Sequence, residues 1–70
     1  METSLAITVN GQTRVSAPGA TVADLLDELK LPAGRVAVER NLEILPRPQW
    51  SSTAVQPGDR YEIVHFVGGG

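Results

Sequence analysis

The chain has 70 residues and a net charge of −2, with six basic and eight acidic side chains and no cysteine. This length suits one small domain, which must hold a small core together without disulfide bonds. The absence of cysteine excludes a thiol nucleophile, a persulfide carrier and a thiolate metal site on this chain. The basic residues are scattered singly along the sequence, which disfavours nucleic acid as a partner.

Targeting signals are not evident in the sequence. The opening residues, METSLAITVNG, have neither the positive region nor the apolar run of a signal peptide. No stretch approaches the roughly 20 apolar residues of a membrane span. We therefore expect a cytoplasmic protein that has no membrane partner.

The first elements are predicted to be a hairpin followed by a helix. Leu5, Ile7 and Val9 fall on one face with Thr8 and Asn10 on the other, and Thr13 and Val15 resume a strand after Asn10-Gly11. Alternation indicates strands, and Asn-Gly suits a type I′ turn, whose central residues have positive φ. Next, an apolar helical stripe falls at i, i+3, i+4 and i+7, formed by Val22, Leu25, Leu26 and Leu29.

The limits of this helix follow from capping chemistry. Thr21 is the predicted N-cap, with Asp24 three residues later near the positive helix end. We expect about ten helical residues, with Lys30 in the last turn. The end is assigned to Leu31-Pro32 and Gly34.

The second half of the chain is predicted to return to the sheet. Val36 and Val38 start a strand, residues 39–41 form a turn, and residues 42–45 form a second short strand. Trp50 is predicted to fill a gap under the following loop, and Pro57-Gly58 suits a type II turn. Residues 60–67 form the last strand.

This order predicts an α+β fold, a β-grasp with a mixed four- to five-stranded sheet and one main helix on one face. The link across the helix favours a parallel neighbour for the last strand and hence a central position for it. We assign residues 1–67 to the domain and residues 68–70 to a flexible C-terminal tail.

Few residues are candidates for chemistry on the chain itself. His65 has no partners at metal-ligand spacing, and it is predicted to be a half-exposed packing residue rather than a base. Asp24, Asp27 and Glu28 are interpreted as a solvated helix face. The SAPGAT segment lacks the glycine pattern of a phosphate loop. The sequence therefore predicts no catalytic residue and no metal or cofactor bound by this chain.

The remaining candidate site is the glycine tail, Gly68, Gly69 and Gly70. Residues without a β-carbon enter a narrow channel where a side chain would clash. The α-carboxylate of Gly70 is ionised at neutral pH and needs another enzyme to activate it, for example as an acyl-adenylate. Fraying is the alternative interpretation of such a tail.

Alternation along the last strand predicts which residues face a partner. Tyr61 and Ile63 share one face, which we expect to pack on the helix. Val64 and Phe66 share the other face and form a hypothesised docking patch, because one helix leaves the opposite sheet face open.

The whole chain resembles the thiamine-biosynthesis sulfur carriers, the ThiS-type family of ubiquitin-like β-grasp proteins. The resemblance lies in ITVNG, TVADLLDELKL, VAVERNLEILPRPQW and GDRYEIVHFVGGG. Its most specific parts are the P-R-x-x-W stretch at residues 46–50 and the terminal Gly69-Gly70. One departure is Gly68, where many relatives have an apolar or small residue.

The resemblance implies a carrier rather than an enzyme. An adenylating enzyme related to ubiquitin-activating enzymes, using ATP and magnesium, would activate the Gly70 carboxylate. A cysteine desulfurase and persulfide relay would supply sulfur to form a thiocarboxylate. Thiazole synthase would receive that sulfur for the thiazole ring of thiamine.

Three alternatives remain open on the sequence. The same tail chemistry suits a ubiquitin-like modifier that forms isopeptide bonds. It also suits a sulfur carrier for molybdopterin or cysteine synthesis. An interaction module with a frayed tail is the third alternative.

Overall fold

The fold is a five-stranded mixed sheet with a helix packed on one face, as seen in a computed structural model that describes residues 4–31 and 33–66. The elements are β1 (Leu5–Val9), β2 (Gln12–Ser16), α1 (Val22–Glu28), β3 (Val36–Arg40), β4 (Glu43–Ile44) and β5 (Arg60–His65). Two 3₁₀ helices cover Ala33–Arg35 and Arg47–Ser52. Within the described ranges, no helix is long and apolar enough to cross a membrane.

The last strand lies in the middle of the sheet, whose order is β2-β1-β5-β3-β4. It runs parallel to β1, with Val9 opposite Tyr61, and antiparallel to β3, with Val38 opposite Ile63. The predicted mixed sheet and the central position of the last strand are therefore confirmed. The strand that leads towards the glycine tail is flanked by neighbours on both sides.

The first hairpin forms as predicted. Asn10 and Gly11 have φ of 50° and 82°, as a type I′ turn requires, and β1 pairs with β2 from Leu5 opposite Ser16 to Val9 opposite Gln12. The alternation places Ile7 and Val9 in the core.

The helix begins as predicted but ends earlier. Thr21 and Asp24 form a reciprocal capping box, and α1 ends at Glu28 after seven residues. Lys30 lies beyond the helix rather than in its last turn, with φ of 60°. Its N–H donates to the carbonyl of Asp27, and Leu31 N–H donates to that of Leu26. This is a Schellman motif, so the backbone turns at a lysine before Pro32 and Gly34 are reached.

The second hairpin corrects the predicted turn. Glu39 and Arg40 belong to β3, and the turn consists of Asn41 and Leu42, with φ of 51° and 73°. Only Glu43 and Ile44 form β4. A leucine at positive φ carries no sequence signal for a type I′ turn, which explains the error.

The core fills the space between α1 and the covered face of the sheet. Its buried apolar residues are Ile7, Val9, Val22, Leu25, Leu26, Val36, Val38, Trp50, Val55, Tyr61 and Ile63. The prediction for Trp50 is confirmed: its ring is buried, and its Nε1–H donates to the Leu45 carbonyl at 2.8 Å. The type II turn is confirmed as well, with Gly58 at φ 83° and Asp59 N–H donating to the Gln56 carbonyl.

A buried carboxylate fixes the start of β5. Asp59 is 4% exposed. Its oxygens accept hydrogen bonds from Arg40 Nε at 3.0 Å, Asn41 Nδ2 at 3.0 Å, Gln56 N–H at 2.9 Å and Tyr61 Oη at 2.7 Å. The donors come from β3, from the second hairpin turn, from the loop before β5 and from β5 itself. One side chain thus ties four segments together.

These contacts perturb two ionisable groups. Burial by itself would raise the pKa of Asp59, but the hydrogen bonds that it accepts outweigh burial and hold that pKa below its ordinary value of 3.8. Burial, followed by the hydrogen bond to Asp59, raises the pKa of Tyr61 to about 12. The phenol therefore stays protonated, and remains a donor, throughout the neutral range.

Replacement Asp59→Asn should lower the free energy of unfolding at pH 7 by about 2–3 kcal/mol, because charged hydrogen bonds are lost in a buried site. Because the folded pKa is lowered, the stabilisation is complete above pH 3.8 and disappears as the pH falls through the folded value. Urea unfolding at several pH values measures both effects. Asp27→Asn on the exposed helix face is the matched control. An equal gap between Asp59→Asn and wild type at pH 7 and pH 2 would contradict this assignment.

Replacement Leu42→Gly should raise the free energy of unfolding by about 0.5–1 kcal/mol, because glycine accepts the φ of 73° without strain. The leucine side chain is 90% exposed, so little burial is lost. Leu42→Ala is the control, since it keeps the β-carbon and should bring no such gain. Thermal unfolding of both variants measures the difference, and equal stability of the two would show that strain at this turn is negligible.

Candidate functional site

The predicted attachment point, Gly70, and the tail residues Gly68 and Gly69 lie outside the described residues, as does Val67. What the structure describes is the strand that leads to them. β5 ends at His65, so Phe66 lies just beyond the strand and not within it as predicted, although Phe66 N–H still donates to the Arg35 carbonyl at 2.7 Å. The described part of the site consists of residues 63–66 and their neighbours.

An asparagine side chain holds β5 on the side of β1. Ile63 N–H donates to Asn10 Oδ1 at 2.7 Å, and Asn10 Nδ2 donates to the Ile63 carbonyl at 3.1 Å. Asn10 lies in the hairpin turn, where the backbone of β1 is already leaving the sheet. Its carboxamide takes the place of a further strand residue and extends the pairing towards the end of β5.

The two faces of β5 divide as the alternation predicts. Tyr61 and Ile63 are buried under the helix, at 0% and 8% exposure. Val64 and Phe66 are 57% and 54% exposed on the opposite face. This placement is compatible with the hypothesised docking patch, and binding of a partner there stays a prediction.

The open sheet face carries two further apolar residues on the β3–β4 side of Val64. Val64 lies opposite Ala37 of β3, and Ile44 of β4 lies opposite Glu39. Since opposed residues in a strand pair share a face, Ile44 sits diagonally beside Ala37 on the open side. Ile44 is exposed. We call Ala37, Ile44, Val64 and Phe66 the tail-end face.

Val15 is also exposed, but it lies away from the tail-end face. It is opposite Ala6 of β1. Because β1 runs parallel to β5, and Thr8 lies beside Arg60, Ala6 is at the end where β5 begins. Val15 therefore marks the end of the open face that is remote from the tail.

The other candidate residues are not brought together. His65 is exposed, and so are Asp24, Asp27 and Glu28. In the described part of the chain, no group of three or more histidine and acidic residues could hold a metal ion. The hollow beside residues 16–20 is also lined by Asp24 and Glu28, whose negative charges disfavour a phosphate.

Sequence reasoning missed the polar side chains that hold β5. Asn10 and Asn41 were interpreted only as turn residues, and Asp59 was given no role. Arg60 N–H donates to Asn41 Oδ1 at 2.9 Å, so both turn asparagines bond to β5 through their side chains. Placement of asparagine, rather than another turn residue, at the first position of both turns was the available signal.

Known proteins resemble this chain over nearly its whole length. The model of the ThiS family matches residues 7–70. A thiazole synthase of Paramagnetospirillum magneticum is 47% identical over 64 residues, which are 91% of this chain and 20% of that protein. The chain thus spans about a fifth of the length of that relative. The sulfur carrier protein ThiS of Escherichia coli K12 is 36% identical over 64 residues, which are 91% of this chain and 97% of that protein.

Solved structures agree with the sequence relatives. The crystal structure of thiamine biosynthesis protein ThiS from Geobacter metallireducens superposes with a TM-score of 0.80 at 39% identity, covering 94% of this chain and all of that chain. A designed protein based on human erythrocytic ubiquitin gives a TM-score of 0.53 at 20% identity, covering 100% of this chain and 98% of that chain, which bears on the fold alone. The β-grasp prediction is confirmed, and the chain belongs to the ThiS family.

Proposed function

We propose that this chain is a sulfur carrier in the synthesis of the thiazole ring of thiamine. The observation that carries the proposal is the family match through Gly70, on a chain whose residues 68–70 are all glycine. In this proposal the chain is a protein substrate in the cytoplasm, and the catalysts are its partners.

The proposed chemistry takes place on the Gly70 carboxylate. An adenylating partner, using ATP and magnesium, joins a carboxylate oxygen to the α-phosphorus of ATP and releases pyrophosphate. The terminal sulfur of a persulfide, supplied by a cysteine desulfurase and its relay, then attacks the carbonyl carbon and displaces AMP, so that Gly70 is joined to the donor cysteine through an acyl disulfide. A second thiol of the donor system attacks the cysteine sulfur of this bond, is oxidised to a disulfide with that cysteine, and releases the Gly70 thiocarboxylate. The resulting thiocarboxylate hands its sulfur to thiazole synthase.

Two features of the chain support this role. β5 is hydrogen-bonded on both sides up to Ile63, so the segment that precedes the tail has a fixed direction. The three glycines that follow have no side chains to obstruct a narrow active site. A strand of fixed direction followed by residues without side chains suits a carboxyl group that must enter the active sites of several enzymes in turn.

Thiazole synthase as a partner has support in the relatives. Two proteins named thiazole synthase, from Paramagnetospirillum magneticum and Magnetococcus marinus, contain a segment 47% and 38% identical to this chain. In each, that segment is 20% of the protein. A carrier segment and a synthase that share one polypeptide would act on each other at high effective concentration.

The intact mass of Gly70-containing protein tests the proposal. After incubation with ATP, magnesium, the adenylating enzyme and a sulfur donor, we expect a species heavier by one oxygen-to-sulfur exchange. Fragmentation should locate the exchange to Gly70. The chain lacking residues 69–70 is the matched control and should gain nothing.

Other outcomes distinguish the alternatives. Gly70 joined to lysine side chains of other proteins would support a ubiquitin-like modifier. A second observation is the growth of cells that have lost this chain. If the chain forms a thiocarboxylate but the growth defect is relieved by cysteine or by a molybdopterin product, and not by thiamine, the carrier belongs to that other pathway. Unchanged carboxylate after complete incubation would refute a carrier role.

Replacement Phe66→Ala tests the tail-end face as the surface for the adenylating enzyme. Phe66 is half-exposed beside Val64, so its ring is available to a partner at modest cost to the fold. Aromatic anchors contribute strongly to interfaces, so affinity should fall about tenfold or more. Titration calorimetry with the purified enzyme measures this change.

Val15→Ala is the matched control for that measurement. Val15 is an exposed apolar residue of the same sheet face, at the end remote from the tail. Its replacement should leave affinity unchanged. Equal affinities for wild type and Phe66→Ala, with both chains folded by circular dichroism, would rule out the tail-end face as this docking surface.

A further inference from the structure

On the edge of β5 that faces β1, the pairing with β1 stops before β5 ends. Parallel pairing covers Thr8 with Arg60 and Val9 with Tyr61. Asn10 continues the edge, with its backbone N–H on the Tyr61 carbonyl at 2.8 Å and its side chain on Ile63. The chain then turns away at Gly11 into β2. His65 is the next residue of β5 whose polar backbone groups point to this side.

The direction of those groups follows from the antiparallel pairing with β3. Phe66 N–H donates to the Arg35 carbonyl, so the backbone groups of Phe66 face β3. Adjacent residues of a strand direct their N–H and C=O groups to opposite sides. The N–H and C=O of His65 therefore face the β1 side, where no strand of the described ranges 4–31 and 33–66 lies beside them.

A groove of about 280 Å³ adjoins this edge on the helix side of the sheet. Half of its lining residues are apolar: Val9 and Ile63 from the sheet, and Leu29 and Leu31 from the segment that follows α1. The other lining residues are polar, namely Asn10, Gln12, Arg14 and His65. An added strand beside His65 would direct alternate side chains into this groove.

The charge of the groove indicates the composition of a segment that would bind there. Among the described residues, none that lines the groove is acidic, although the chain has eight acidic and six basic residues. The fixed cation among the lining residues is Arg14. An apolar side chain next to a carboxylate is complementary to this arrangement.

We propose that an extended segment of the enzyme that receives the tail adds to β5 as a short extra strand. Its backbone pairs with the N–H and C=O of His65. One apolar side chain enters the groove between Leu29, Leu31 and Ile63, and an acidic side chain lies against Arg14. This inference rests on the proposed function for the identity of the partner, which here is the adenylating enzyme.

Strand addition gives a role to the backbone groups of His65 and to the groove, neither of which takes part in docking on the open sheet face. Main-chain pairing gives affinity, while pockets for alternate side chains give selectivity. The edge lies immediately before the tail, so an added strand would fix the direction in which residues 67–70 leave the domain. It would also hold the base of the tail from the side opposite β3.

Amide hydrogen exchange on the wild-type chain tests the backbone pairing. The ¹⁵N-labelled chain is mixed with purified adenylating enzyme and transferred to D₂O, and exchange of individual amides is measured after quenching. We expect the His65 amide to exchange at least about tenfold more slowly in the complex. The Phe66 amide, already bonded to Arg35, is the internal reference.

Two substitutions of His65 separate backbone from side chain. His65→Ala keeps the N–H and loses the imidazole, whereas His65→Pro loses both. Because this N–H does not point at β3, proline leaves the β3–β5 hydrogen bonds in place. We expect His65→Pro to bind at least about fivefold more weakly than His65→Ala, and equal affinities would overturn the backbone pairing.

Charge reversal tests the groove. Arg14→Glu should weaken binding about fivefold or more, with a reduced dependence on salt. Arg60→Glu is the control, because Arg60 is exposed at the far end of β5 and does not line the groove. Equal losses for both variants would mean a general charge effect and would overturn the assignment of the groove.

The remaining outcomes separate this inference from the proposed function. A normal Gly70 thiocarboxylate with no protection of His65 in the complex would overturn the strand addition and leave the carrier role intact. A wild-type chain that is never adenylated would refute both. Protection of His65 in the free chain that disappears on deletion of residues 68–70 would assign the edge to the chain's own end and overturn the inference.

Discussion

The arrangement of this protein depends on the central position of β5. A central strand is paired on both edges, so its direction is fixed by two neighbours rather than one. β1 supplies a parallel neighbour and β3 an antiparallel one. Among the described residues, β5 is therefore held on both edges as far as Ile63 and on the β3 edge alone beyond it.

Polar side chains make hydrogen bonds to the backbone of β5 where neighbouring strands do not. β1 is too short to accompany β5 to its end, and the carboxamide of Asn10 replaces the missing strand residue at Ile63. At the other end, Asn41 bonds to Arg60, and Asp59 gathers donors from four segments. A chain of 70 residues without disulfides has little apolar core to spare, so buried hydrogen bonds of this kind carry much of its specificity.

Local chemistry in the sequence was enough to predict the first hairpin, the start of the helix and the faces of β5. Asn10-Gly11, the Thr21–Asp24 box and the alternation of Tyr61 and Ile63 with Val64 and Phe66 each follow a short-range rule. The errors occurred where backbone hydrogen bonds impose a conformation that the residue type does not indicate. Lys30 and Leu42 adopt positive φ without being glycine, because the Schellman bonds and the pairing of β3 with β4 hold them there.

The two proposed partner surfaces differ in how substitutions could change them. The open sheet face can change Val64 or Phe66 without touching the core, since both side chains are half-exposed. The edge at His65 is different, because main-chain groups attract any extended segment of suitable length. Selectivity there must come from the adjoining groove, and thus from Arg14, Leu29 and Leu31. A carrier that meets several enzymes would gain from this division, with one surface adjustable by side chains and one fixed by the fold.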